Sequence, residues 1–174
     1  EGNLWFVEIQ GGTLCRWNGM ELKRFGVKGT PNGAAIDKSG NIWFCDSGRG
    51  EIRIFYPHSE KFDTVCYRTM EGTRLKRPND LIFDAEGNLL FSDHADGREE
   101  PLSILCVLPQ SKREAKVISE NKCFTNGLAL GADGQTLVFA ETYRQQLWIG
   151  RWDSTRLRIL DERPFAKGRS SRIL

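Results

Sequence analysis

No stretch of the chain is apolar for long enough to span a bilayer, which takes about 20 such residues in a row. No basic-then-apolar leader opens it, although Glu1 need not be the natural first residue. Paired cysteine motifs are missing too: Cys15, Cys45, Cys66, Cys106 and Cys123 form no C-x-x-C. An odd number at these spacings argues against a zinc site or a disulfide framework. It fits buried free thiols in a reducing compartment, so a cytoplasmic location is expected. There is no G-x-S-x-G elbow, and two histidines leave little room for a Ser-His-Asp triad. Neither sign of charge dominates: the formal net charge is +2 over 174 residues. Nucleic acid and anionic membrane surfaces are therefore not expected partners.

What is present is glycine and tryptophan in a chain long enough for one ordinary domain. That mix suits short strands joined by tight turns around aromatic packing. The strands come in a repeat. Gly2-Asn3-Leu4-Trp5-Phe6 returns as Gly40-Asn41-Ile42-Trp43-Phe44 and as Gly87-Asn88-Leu89-Leu90-Phe91. A looser copy is Gly134-Gln135-Thr136-Leu137-Val138-Phe139. The period of about 40–50 residues is that of propeller blades. Before each of the last three copies lies a short apolar strand: Gly33–Ile36, Leu81–Phe83 and Gly127–Leu130. A turn closing on glycine joins the two strands, and the second strand ends in an acid: Glu8, Asp46, Asp93 or Glu141.

These features predict an all-β fold, a β-propeller of about four blades in a single domain over 1–174. The repeats lie near 1–30, 31–76, 77–124 and 125–165. The apolar strands near 33–36, 81–83 and 127–130 are predicted to be innermost. The Arg-rich stretch from Arg151 to Arg172 reads as solvated surface or tail.

Three segments enter the innermost strands: Thr30-Pro31-Asn32-Gly33, Arg77-Pro78-Asn79-Asp80 and Thr125-Asn126-Gly127. In a propeller they open on one face around one axis. Amide oxygens are hard neutral donors, suited to Ca²⁺ or another hard divalent cation when carboxylates join them. Asparagine before Gly or Asp is also a common turn residue, and a turn required in every blade would repeat in the same way. Both explanations fit the residues. Asp93, beside His94 and Asp96, is placed on a channel-facing polar loop as a candidate substrate contact, with His94 as a further one. If the protein is an enzyme, metal-assisted attack by water is the leading mechanism.

Arg77-Pro78-Asn79-Asp80-Leu81, followed by Phe83-Asp84, Gly87-Asn88-Leu89 and Phe91-Ser92-Asp93, resembles the central signature of the gluconolactonase/regucalcin family. Asn126-Gly127-Leu128-Ala129-Leu130, with Asp133-Gly134 and Ala140-Glu141-Thr142 after it, resembles that family's following blade. Gly2 to Trp17 and Pro31 to Asp46 fit the two blades before. The resemblance implies a six-bladed propeller that holds Ca²⁺, Zn²⁺ or a similar divalent ion and hydrolyses sugar lactones. It implies Asn126 as a metal ligand, Asn79 as a metal or substrate ligand, and Arg77 as a substrate contact. The glutamate of an early Glu-Gly-Pro-like motif and the aspartate of a later Pro-Asp-Gly motif have no match here. That aspartate, the implied general base, is expected beyond Leu174. The chain thus reads as part of a longer ring, with exposed blade faces and edges that favour self-association. The alternative is a non-catalytic propeller that binds a ligand or a protein at its channel face.

Overall fold

The computed structural model describes residues 2–168, so Glu1 and the last part of the Arg-rich stretch lie outside the described residues. The described residues form fifteen strands in four antiparallel sheets and no helix. No helix is long and apolar enough to cross a membrane. The first sheet runs β1 (Leu4–Glu8), β2 (Thr13–Trp17) and β3 (Leu22–Gly26). The second holds β4 (Pro31–Ile36), β5 (Ile42–Asp46), β6 (Glu51–Tyr56) and β7 (Lys61–Cys66) in that order. The third holds β8 (Pro78–Phe83), β9 (Leu89–Asp93), β10 (Ser103–Leu108) and β11 (Lys116–Lys122). The fourth holds β12 (Thr125–Leu130), β13 (Thr136–Glu141), β14 (Gln146–Asp153) and β15 (Arg158–Lys167).

Each sheet is a meander, the arrangement of a propeller blade. β8 packs against both β4 and β12, so the predicted innermost strands are neighbours. β1 carries the sequence of β5, β9 and β13, and it touches β4 as β5 touches β8. The first sheet therefore supplies strands two to four of a blade pattern.

The repeat is a packing device. Side chains alternate across a strand, so residues two apart share a face. Ile42 and Phe44 enter the core between the first and second sheets. Leu89 and Phe91 enter the core between the second and third, and Leu137 and Phe139 the core between the third and fourth. Each phenylalanine is at most 1 % exposed. The intervening Leu90 faces the opposite way, into the next core. A single sheet has two apolar faces, and stacking satisfies both. All five cysteines are free and buried, as apolar strand neighbours predict for Cys15, Cys45, Cys66 and Cys106.

The Arg-rich stretch is solvated surface but not a loose tail over its described part. Arg151 closes into β14, and Arg158 to Lys167 form β15, the outermost strand of its sheet. Its side chains are mostly exposed because an edge strand carries charge where a central one carries apolar residues. Composition alone could not separate solvated surface from tail.

Candidate functional site

The segments that enter the innermost strands share one irregularity. In β4, Pro31 pairs with Asp46 but Ala34 pairs with Phe44. Pro78 pairs with Asp93 and Leu81 with Phe91. Thr125 pairs with Glu141 and Leu128 with Phe139. In each case two residues face one across the ladder, which is a β-bulge. The bulged pairs are Asn32-Gly33, Asn79-Asp80 and Asn126-Gly127. A bulge bends the strand and re-aims side chains, and here it does so at the same level of three neighbouring innermost strands.

This geometry argues against the turn explanation of the asparagines. A turn asparagine fastens its side chain to nearby backbone and tolerates positive φ. Asn32, Asn79 and Asn126 all lie in strands, and none has positive φ. Among the described residues, none of the three side chains makes a hydrogen bond within the protein, whereas Asn41 and Asn88 are tied to Asp37 and Asp84. Asn79 is 7 % exposed and Asn126 is half-buried. Their amides are positioned by the bulge and left free.

The acids at the ends of the second strands serve a different purpose. Asp93 accepts the backbone N–H of Lys76 at 2.7 Å, of Arg77 at 2.9 Å and of Ala95 at 3.0 Å. Asp46 accepts the N–H of Thr30 at 2.9 Å and pairs with Arg53 at 3.0 Å. Glu141 accepts the N–H of Cys123 at 2.6 Å and the indole N–H of Trp148 at 2.9 Å. Each carboxylate clasps the loop that leads into the innermost strand of its own sheet. All three are at most 1 % exposed. Asp93, the candidate substrate contact, thus clasps its loop with both carboxylate oxygens and is 1 % exposed.

Arg77 remains exposed, and its guanidinium meets Asp96. Asp96 and Ala95 both hold positive φ, so the Asp93–Gly97 loop curls back over Arg77. His94 is buried and lies flat on Phe124 at 4.0 Å between ring centroids. Burial holds its pKa below the usual 6.5, against the opposing pull of Asp93 and Asp96. Its Nδ1 accepts the N–H of Asp96 at 3.3 Å. His94 thus props the loop and does not present a free ligand nitrogen at that atom. No group of three or more His, Cys, Asp or Glu is arranged to hold a metal among the described residues.

Sequence reasoning overlooked Asp80, which was quoted only as part of a motif. Its half-buried carboxylate reaches the neighbouring bulge, accepting the N–H of Leu128 at 3.1 Å. The available signal was that an aspartate occupies the place where the other two bulges carry glycine.

Comparison with known proteins agrees with this architecture. The profile of the SMP-30/Gluconolactonase/LRE-like region matches residues 1–173. The lactonase drp35 of Staphylococcus saprophyticus is 30% identical over 155 residues, covering 84% of this chain and 47% of that protein. The Arabidopsis thaliana protein STRICTOSIDINE SYNTHASE-LIKE 3 is 29% identical over 133 residues, 69% of this chain and 33% of that one. Among solved structures, a gluconolactonase from Xanthomonas campestris superposes with a TM-score of 0.83 at 23% identity, covering 96% of this chain and 59% of that one. A calcium-binding regucalcin from Agrobacterium tumefaciens gives 0.77 at 13% identity, over 94% and 55%. The chain spans a third to just under half of the length of these curated relatives. With its repeated blades, its bulged innermost strands and a family match along nearly its entire length, the chain belongs to the SMP-30/gluconolactonase/LRE-like family.

Proposed function

We propose that this chain supplies part of the channel face of a divalent-metal-dependent hydrolase that opens sugar lactones. The observation that carries the proposal is the set of bulged innermost strands, which leave the amides of Asn79 and Asn126 without protein partners. Amide oxygens fit a hard cation such as Ca²⁺, and are tolerated by Zn²⁺, in kind. In number they fall short, because Ca²⁺ takes six to eight oxygens and the nearby acids are spent on backbone N–H groups. Asn126 and Asn79 would hold the ion together with donors from outside this chain. When bound, the ion supplies a Lewis acid for the lactone carbonyl. Arg77 would meet a substrate oxygen. Its ion pair with Asp96 is exposed and hence weak, so the guanidinium is free to exchange partners.

A second function is favoured by the same clasped carboxylates. Asp46, Asp93 and Glu141 are all committed to loop structure, and the channel face then acts as a ligand-binding surface without catalysis. The test is hydrolysis of glucono-1,5-lactone by a polypeptide extended to the length of the curated relatives, with and without chelator. Turnover should need the metal and should fall by about 10–100-fold or more in Asn126→Ala. Chelator-resistant turnover, or none at all in a folded, metal-loaded protein, would move the assignment to the non-catalytic function.

A further inference from the structure

We propose that Asp80 is a positioning residue for the channel-mouth site, acting on Asn126 through the bulge of the neighbouring sheet. The inference rests on the proposed function in taking Asn126 as the donor that matters; the contacts themselves do not depend on it. Asp80 Oδ2 accepts the N–H of Leu128 at 3.1 Å, two residues beyond Asn126. A bulge leaves a ladder N–H unpaired, and this carboxylate takes it up. The clamp has a second arm. Ser92 Oγ accepts the N–H of Asp80 at 3.2 Å and donates to the carbonyl of Asn126 at 2.8 Å. Ser92 is fully buried, so both bonds are sheltered from water. Asn126 is thus held at its own carbonyl and, two residues on, at Leu128. Both holds come from the third sheet.

The opposite side of Asp80 is closed as well. A Cβ placed on Gly33 would lie 2.5 Å from Asp80 Oδ1 and 2.7 Å from Asp80 Cα. The carboxylate therefore sits between the innermost strands of the second and fourth sheets and cannot swing toward the former. This places Asp80 against the bulges of both neighbouring sheets, with a hydrogen bond to one of them, whereas Asn32, Asn79 and Asn126 are what the bulges present.

Amide hydrogen exchange of the chain tests this without any metal or substrate. In Asp80→Ala, exchange at Leu128 should rise about tenfold, the size of one net hydrogen bond. Phe91 and Phe139, in the strand cores, should keep their protection. In Asp80→Asn the amide oxygen still accepts the N–H, and Leu128 protection should return to near its original value. Unchanged exchange at Leu128 in Asp80→Ala would overturn the proposal. So would an equal rise at Phe91 and Phe139, which would make Asp80 a general stabiliser.

Ser92→Ala provides a second reading should Asp80→Ala not fold. It should shift the side-chain amide resonances of Asn126 while leaving Leu128 protected, and unshifted resonances would count against the clamp. Adding Ca²⁺ to the unmodified chain separates the two proposals. Asn126 resonances that do not respond at any Ca²⁺ concentration would defeat the metal assignment and leave the clamp standing.

Discussion

Asp93 has a structural task that its place in the sequence does not announce. It ends a strand at the face where the candidate site lies, beside His94 and Asp96, and yet it accepts three backbone N–H groups and is 1 % exposed. Removing it strands three loop amides without acceptors. Asp93→Ala should therefore lower stability by about 3 kcal/mol, read as a shift in the urea midpoint at unchanged slope. A change below about 0.5 kcal/mol would show that water replaces the carboxylate there. Glu8 and Asp133 give the folded chain a sensitivity to acid. Hydrogen bonding from Arg24 first, then from Thr13, lowers Glu8 from 4.5 to about 2. Hydrogen bonding from Thr136 and from the N–H of Gln135 lowers Asp133 from 3.8 to about 2. Both folded values lie below the unfolded ones, so the folded chain binds fewer protons in this range. Their contribution is complete above pH 4.5 and is lost as the pH falls toward 2. Urea midpoints measured across that window should decline with acid. The decline should be shallower in Glu8→Gln/Asp133→Asn, and an equally steep decline in that variant would assign acid sensitivity elsewhere.

At the scale of elements, the innermost strands carry both the fold and the site. Gly33 and Gly127 occupy the same place in two bulges, but for different reasons. A Cβ at Gly33 would meet Asp80 Oδ1, Asp80 Cα and the carbonyl of Asn79, all within 2.8 Å. At Gly127 its nearest neighbour would be Asp80 Oδ2 at 3.7 Å, an ordinary contact. Neither glycine has positive φ. Gly33→Ala should thus cost about 1–3 kcal/mol through forced separation of β4 and β8, and Gly127→Ala should be nearly neutral. Thermal melts of the two variants compare them directly, and equal losses would mean that the β4–β8 approach is not tight. The repeat made these strands legible because apolar alternation and the glycine turn recur at a fixed phase. The bulges were not legible. A two-against-one register depends on the partner strand, and nothing in Pro78-Asn79-Asp80 states which residue faces Ser92. β15 could not be told from a tail for a related reason, since an outer strand with exposed charges has the composition of either.

For the whole molecule, three cores between four sheets explain how so short a repeat stays ordered. The large apolar side chains left exposed include Leu4 and Trp17 in the first sheet and Leu147 and Phe165 in the fourth. These are the sheets at the two ends of the stack. The blade architecture and the family could be read from the sequence because packing needs repeat in it. The clasps could not, because an acid at a strand end looks the same whether it faces a loop amide or a channel. The proposed role of Asn79 and Asn126 is to present free amide oxygens to a divalent ion, for which the described residues supply too few further donors. Calorimetric titration of Ca²⁺ into the chain tests it most directly. The expected result is weak binding, with a dissociation constant of about 10⁻³ M, that disappears in Asn79→Ala/Asn126→Ala. Micromolar binding that survives the double substitution would contradict it, because the ion would then be held by groups other than the bulge asparagines.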